Sequence, residues 1–373
     1  MHNNIISDLT AVFAYRHLSS SMSTTRKRSS KGSSTSSTPR QAPGPTPFGP
    51  PFDDTDADVI LQSSDQVDFY VYRIILSKSS SFFKSMFSLS QPDAASVSDS
   101  EKRLVINLRE NSRIIEVLLA SIYPAVSVDT EPLSLDDMID ALAAAKKYDM
   151  TAASQRLNEK FAVSKVVQDS PVVAFCAAYS NKLGEAARVA AKASLKHRMS
   201  LDDIGDGLQY TDGPALHYLW KFHRTCSTIA AQAVPDDNDL TWVKYSDTEQ
   251  WRFARNIYGK TCGCSEFYKY TVGHGYAWNV VALWHNYITR ARDVLLHHPC
   301  GEAVAHKSVY GPSYEKVSCV TCKATLFGLP EFMRILGEEV DKRVSKVRDF
   351  LPYSHSNRSH SIALSKLVIE LPF

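Results

Sequence analysis

The sequence predicts an α+β protein. An N-terminal α/β module, with a three-stranded sheet flanked by helices, is followed by an α-helical region and a Cys-rich, mainly helical C-terminal region. Three observations support this prediction. Apolar and polar residues alternate in short segments between residues 58 and 108, as in half-buried strands. Beyond residue 111, apolar residues recur mostly at helical spacing. Five of the seven cysteines fall in the last third of the 373 residues.

The composition argues against several classes of protein. The 42 basic and 40 acidic residues leave a net charge of +2, which gives no electrostatic reason to expect nucleic acid or a membrane surface as a partner. The longest apolar run, Pro171 to Tyr179, is about half of what a membrane span needs. The common nucleotide-binding, zinc-protease and nucleophile-elbow motifs are missing, so we expect no catalytic residues.

Residues 1–52 are expected to form a disordered basic tail rich in Ser and Pro. From Ser19 to Pro51 the chain offers too few apolar side chains to offset the entropy cost of ordering it. The first residues lack a basic segment before their apolar run, so a secretory signal is not expected. We therefore expect an intracellular protein, cytoplasmic or nuclear. Whether the protein starts at Met1 or Met22 stays open.

Residues 53–165 contain the α/β module. A strand beginning at Asp58 and an alternating strand from Val67 are separated by a short polar turn, which favours an antiparallel hairpin. Ser79 or Ser80 can then cap a short helix. A third strand covers Leu104 to Leu108. Three helices are expected to follow, with starts at Asn111, Ser134 and Thr151.

These residues resemble a BTB/POZ domain over about 110 positions. The resemblance rests on an Asp-Val strand, a Phe-x-x-x-Arg-x-x-Leu segment and a Ser-x-x-Phe-x-x-Met/Phe helix. This chain departs from the family pattern at Tyr72, where the family commonly has His. The matching runs are Asp58 to Ile60, Phe69 to Ser77, and Ser80 to Phe87.

The resemblance implies sites for partner binding. It implies a partly buried charged pocket near a dimer interface, made by Asp58 and Arg73. In the alternative interpretation Asp58 only begins its strand and Arg73 is solvated. An apolar surface for a partner is expected from Phe82, Phe83, Met86 and Phe87.

Residues 166–233 are expected to be a helical extension of the module. The predicted helices span 171–180, 183–199, 201–208 and 214–233, the first beginning at Pro171. His217, His223 and Cys226 lie in the last of these helices at i, i+6 and i+9. That spacing does not put three metal ligands on one face, so we interpret them as ordinary core or surface residues.

Residues 242–350 form the Cys-rich region, and we expect residues 351–373 to be an irregular tail. Cys262-Gly-Cys264 and Cys319-x-x-Cys322 together predict a Cys₄ site for a structural Zn²⁺. Unligated thiols are the main alternative, because disulfides are disfavoured without a secretory signal. Cys300 and His298 are substitute ligands. Between and after the pairs, helices are expected from Trp278 to Leu295 and from Phe332 to Val347.

The C-terminal half also resembles the expanded BTB/POZ proteins of basidiomycete fungi. That resemblance rests on the Cys pairs, Trp278 and Trp284, the Pro299-Cys300-Gly301 stretch, and the Val344-Ser-x-Val ending of the last helix. It brings no established function with it.

The sequence therefore favours a non-enzymatic protein-interaction module. The family resemblance implies protein partners, homodimerisation and, in some members, an adaptor role for a cullin-type ubiquitin ligase. Transcriptional regulation is an alternative, although no DNA-reading finger or basic stripe is present. The second alternative is a metal-dependent enzyme that uses the Cys and His residues between 297 and 319.

Overall fold

The N-terminal part of the fold is built on a four-stranded sheet with the order β1-β3-β2-β4. The computed structural model describes residues 44–89, 103–124, 133–200, 213–244, 267–273, 275–315 and 325–347. β2 and β3 form the predicted antiparallel hairpin, whereas β1 is parallel to β3 and β4 is parallel to β2. The strands are β1 (Thr46–Pro47), β2 (Val59–Gln62), β3 (Val67–Val71) and β4 (Leu104–Asn107).

The first strand corrects the predicted boundary of the N-terminal tail. Residues 46–52 belong to the sheet region, although the sequence predicts disorder up to residue 52. Phe48 stacks on Phe69 with 4.5 Å between ring centres, and Phe52 is almost fully buried. Two phenylalanines therefore supply the apolar burial that the composition of the tail as a whole does not predict.

Five helices accompany this sheet, and three of them begin at predicted caps. The side chains of Ser80, Asn111 and Ser134 each accept a hydrogen bond from the backbone amide three residues later. The sequence predicts one helix after β3, but the structure has two, which meet at Ser80. The helices are α1 (Arg73–Ser79), α2 (Ser81–Ser88), α3 (Ser112–Ile122), α4 (Leu135–Lys147) and α5 (Thr151–Val163).

The helical extension follows without a break and packs on α4 and α5. The predicted helix 183–199 ends earlier, at Ser194, and the predicted helix 201–208 lies outside the described residues. His223 and Cys226 are buried while His217 is exposed, so these three side chains do not converge. The helices are α6 (Lys165–Asp169), α7 (Pro171–Ser180), α8 (Gly184–Ser194) and α9 (Gly213–Ala231).

The C-terminal region contains a second sheet that the sequence analysis missed. β6 and β7 are antiparallel, and β5 pairs in parallel with β6, giving the order β5-β6-β7. Trp278, expected at the start of a helix, lies in β7 instead. The strands are β5 (Asp239–Leu240), β6 (Phe267–Val272) and β7 (Tyr276–Val281).

Helices cover this second sheet. The last one buries Phe332, Leu336, Val340 and Val344, as its predicted spacing requires. None of the helices in the described ranges is long and apolar enough to cross a membrane. The elements are α10 (Ala282–Leu295), α11 (Gly301–Val304), α12 (Lys307–Glu315), a 3₁₀ turn (Thr325–Gly328) and α13 (Leu329–Val344).

Candidate functional site

The α1–α2 hairpin carries five of the six side chains that the sequence analysis assigned to partner binding, and the sixth, Asp58, lies just before β2. The Asp58 carboxylate accepts a hydrogen bond from the backbone amide of Arg73 at 2.7 Å. The preceding amide, that of Tyr72, donates to the Tyr123 hydroxyl at 2.8 Å. Because these amides have no partner within the first turn of α1, the two bonds fix where this helix begins.

The Arg73 side chain points to α2 and not to Asp58. Its guanidinium group donates to the carbonyl oxygen of Phe87 and lies 4.7 Å from the centre of the Phe87 ring. Both Asp58 and Arg73 are exposed. Their contact runs through the Arg73 backbone, and the chain alone does not place the two charges in a partly buried pocket. Within one chain the two side chains therefore contact different elements, and the charged pocket near a dimer interface stays a prediction.

The four apolar residues of α2 divide between two faces of the helix. Phe83 and Phe87 are four residues apart, point into the core and are almost fully buried. Phe82 is 44% exposed and Met86 is half-buried. Grouping all four as one exposed surface was therefore wrong. Each helical residue advances by about 100°, so the positions next to Phe83 and Phe87 turn away from the core.

A narrow apolar surface remains on the outer side of this helix. Phe82, Met86 and Leu89 recur at i, i+4 and i+7, which brings them to one side, and we call these three residues the α2 stripe. Leu89 is 71% exposed, and Ile74 on the neighbouring α1 is 62% exposed. Neither was among the predicted site residues, although helical spacing from Phe82 could have identified Leu89.

The α2 stripe has a rigid support. The Ser80 hydroxyl accepts from the amide of Phe83 at 3.0 Å and donates to the carbonyl oxygen of Tyr148, at the end of α4. The Tyr148 ring stacks on Phe83 with 5.3 Å between centres. The start of α2 is thus held to the α4–α5 corner by hydrogen bonds and by ring packing.

The same corner holds a partly buried carboxylate. Glu110 accepts hydrogen bonds from the Tyr148 hydroxyl at 2.5 Å and from the Lys147 ammonium at 2.8 Å. Burial raises the pKa of Glu110, but the hydrogen bonds from Lys147 and Tyr148 outweigh that effect and lower it overall. Burial also raises the pKa of the Tyr148 hydroxyl, which therefore acts as a donor at neutral pH. This arrangement stabilises the fold beneath the α2 stripe.

Comparison with protein-family models matches residues 51–165 to the BTB/POZ domain. These residues form a BTB/POZ domain. The match covers less than half of the chain and ends where α6 begins. No curated protein matches the sequence. A BTB/POZ domain is a protein–protein interaction module, so the α2 stripe lies in a domain whose established role is to contact other proteins.

A groove of about 710 Å³ lies where the BTB/POZ domain meets the helical extension. The α4–α5 corner and α5 form one side, and the start of α8 forms the other. The base is apolar and the rim carries charges of both signs. Residues that line it include Leu142, Met150, Asn158, Lys182, Leu183, Glu185 and Val189.

The four predicted zinc ligands Cys262, Cys264, Cys319 and Cys322 lie outside the described residues. Within the described ranges no group of three or more His, Cys, Asp or Glu side chains is arranged to hold a metal ion. The substitute ligand His298 instead contacts the carbonyl oxygen of Lys196 through its Nδ1 atom, at 3.1 Å.

The three described cysteines lie in the helical extension and next to α11. Cys176 and Cys226 are buried, and burial raises the pKa of the Cys226 thiol to about 12. Cys300 is half-buried, and burial raises its pKa as well. A thiol whose pKa is raised is a poor nucleophile at neutral pH, which gives no support to catalysis by these cysteines.

Proposed function

We propose that this chain is a non-enzymatic adaptor that self-associates through the α2 stripe of its BTB/POZ domain. The observation that carries the proposal is the exposure of Phe82, Leu89 and the neighbouring Ile74 on a helix hairpin that is otherwise packed and capped. An exposed apolar group of this kind in a soluble domain marks an interaction site. A second copy is the occupant we favour, because BTB/POZ domains often homodimerise.

The geometry of a two-fold dimer suits this surface. In such a dimer the same patch of both copies meets itself, so one short apolar stripe is enough to supply both sides of the contact. Burial of Phe82 and Leu89 against their copies would remove from water the most exposed apolar side chains of α2 and its C-cap.

The test measures the mass of the full chain in solution. We expect a dimer that the double substitution Phe82→Glu/Leu89→Glu converts to a monomer, with a dissociation constant raised by at least tenfold, as expected when roughly 1.4 kcal/mol or more is lost. Val163→Glu is the matched control, because Val163 is 81% exposed on α5 and lies outside the stripe. A stripe variant that stays dimeric in sedimentation velocity contradicts the proposal.

The adaptor role predicts a second protein partner, and a cullin-type ubiquitin ligase subunit is the one proposed here. Its support is the BTB/POZ domain itself, together with a helical extension that packs directly on α4 and α5. Affinity purification of the full chain with mass spectrometry should recover a cullin. Recovery of other partners without any cullin would contradict the ligase role but would still agree with a protein-interaction module.

A structural Zn²⁺ bound by Cys262, Cys264, Cys319 and Cys322 remains part of the proposal. Its support is that the described elements flanking the two pairs share one core: Trp284 of α10, which follows β6 and β7, packs on Phe332 of α13 with 4.7 Å between ring centres. Metal analysis should find about one zinc per chain. The double variant Cys319→Ser/Cys322→Ser should lose the zinc, whereas the Cys176→Ser variant should keep it.

A further inference from the structure

The exposed side of α9 combines basic side chains with an aromatic ring. The helix buries Leu219, Phe222 and Cys226. Its outward positions recur at spacings of three and four residues, as expected for one side of a helix. We call this exposed set the α9 face; it consists of His217, Trp220, Lys221, Arg224 and Thr228.

The α9 face carries positive charge that its own helix does not neutralise. The 19 residues of α9 include no Asp or Glu. In two other helices a basic side chain is paired with a carboxylate on the same helix: Arg334 lies 2.7 Å from Glu331, and Arg188 lies 2.9 Å from Glu185. Within the described ranges Lys221 and Arg224 take part in no ion pair.

An apolar ring lies among these charges. Trp220 is 40% exposed and directly precedes Lys221 on the same face. Trp and Arg are the residue types most enriched where interfaces gain their binding energy, because each offers a large contact area together with directional contacts. An exposed Trp beside Lys221 and Arg224 is suited to a ligand that combines negative charge with an apolar side chain.

We infer that the α9 face binds an acidic segment of a protein partner. Carboxylates of that segment pair with Arg224 and Lys221, and an aromatic or aliphatic side chain covers Trp220. Arg224 can hold a carboxylate through two parallel hydrogen bonds. A nucleic acid fits less well, because two fixed cations neutralise few phosphates and the whole chain has a net charge of +2. This inference does not depend on self-association, because α9 lies outside the BTB/POZ match.

The experiment selects ligands on the full chain from a displayed library of random peptides. A charge-reversed variant, Lys221→Glu/Arg224→Glu, is screened in parallel. The matched control is Lys160→Glu/Lys165→Glu, which changes the net charge equally at two exposed lysines of α5 and α6. Thermal unfolding verifies that all variants are folded, which we expect because the four side chains are exposed.

We expect the selected peptides to be rich in Asp and Glu and to contain an aromatic or aliphatic residue. In fluorescence anisotropy the charge reversal should weaken the best peptide by at least roughly tenfold, and the control should leave its affinity unchanged. Trp220→Ala should also weaken it by roughly tenfold while preserving its salt dependence, since the charges remain.

Three results would overturn the inference. The first is a selection whose peptides bind the charge-reversed variant as well as the natural chain. The second is a control variant that loses as much affinity as the charge reversal, which would indicate a response to net charge alone. The third is a single-stranded oligonucleotide that binds the α9 face more tightly than any selected peptide, which would make it a nucleic-acid surface.

Discussion

At the scale of single residues, two glycines allow a close contact between helices in the C-terminal region. Gly301 at the start of α11 faces Gly337 in the middle of α13, and the Gly301 amide donates to the Asp341 carboxylate at 2.7 Å. A Cβ atom at Gly301 would lie 2.8 Å from the carbonyl carbon of Gly337 and even closer to its oxygen. These neighbours are backbone atoms, which cannot rotate away as a flexible side chain could.

We therefore predict that Gly301→Ala lowers the free energy of unfolding by about 2–3 kcal/mol, since a backbone clash must be relieved by separating the two helices. Gly311→Ala in α12 is the control, because the nearest atom to its added Cβ is a Lys307 side-chain carbon at 3.6 Å. The control should be neutral or up to about 1 kcal/mol more stable, because Ala favours helices over Gly. Urea denaturation measures both, and equal midpoints would contradict the predicted contrast.

A buried histidine makes a second prediction at this scale. The pKa of His223 is lowered to about 4, mainly by burial and also by the neighbouring His298 and His297, although its contact with the carbonyl oxygen of His197 acts in the opposite direction. In the unfolded chain this histidine takes up a proton near pH 6.5, whereas in the folded chain it stays neutral down to a lower pH. Stability from neutral His223 is therefore present above pH 6.5 and lost as the pH falls toward 4.

We expect this loss to be about 3 kcal/mol between pH 6.5 and 4. His223→Gln has no titrating group at this position and should show a shallower fall in the free energy of unfolding over the same window. His217→Gln, on the exposed side of the same helix, should keep the slope of the natural chain. Chemical denaturation at a series of pH values measures these slopes, and identical slopes for all three chains would disprove the role of His223.

At the scale of elements, the residues at which helices begin were largely predictable, but the helix face that is buried was not. Ser80, Asn111 and Ser134 cap their helices as expected, because a cap depends on the residue and its next three neighbours. Which of Phe82 and Phe83 is buried depends on how α2 packs on the core, including Tyr148, whose ring contacts both phenylalanines from 65 or more residues further along the chain. Local sequence does not contain that information.

The second sheet was also not predictable from local sequence alone. Trp278 and Val280 are buried in β7 while Ala277 and Asn279 are exposed, which is the alternation of a strand. The apolar residues 278, 282 and 284 also fit the start of a helix. Because a helix does follow from Ala282, the sequence analysis placed its start too early, at Trp278. Short apolar runs are ambiguous between strand and helix, and pairing with β6 decides the matter.

Ser80 allows an element-scale prediction, because it caps α2 and also binds α4. It is 2% exposed and donates to the Tyr148 carbonyl oxygen, whereas Ser134 caps α4 from an exposed position. Ser134→Ala should cost about 1 kcal/mol, the usual value of a lost cap. Ser80→Ala should cost about 2–3 kcal/mol, because it also leaves a buried carbonyl oxygen without its donor. Equal costs in thermal denaturation would mean that the link to Tyr148 adds nothing.

At the scale of the whole molecule, the BTB/POZ domain does not end at a gap in packing. The described residues from Pro45 onward form one unit, and the buried apolar side chains of both sheets join one core. Helix α5 packs on α8, α7 packs on α9, and α9 packs on both α10 and α13. We infer that damage to the N-terminal core is transmitted to the C-terminal region as a loss of shared stability.

The tryptophans make this testable, because all five lie at residue 220 or beyond and none is in the BTB/POZ domain. Leu118→Ala creates a cavity in α3, where the side chain is 3% exposed, and should cost about 3 kcal/mol. In a cooperative chain the denaturation midpoint measured by tryptophan fluorescence falls by the same amount as the midpoint measured by circular dichroism. Leu336→Ala in α13 is the reciprocal control and should also shift both probes together. If Leu118→Ala leaves the tryptophan midpoint unchanged, the BTB/POZ domain unfolds on its own and the continuous core does not couple the two sheets.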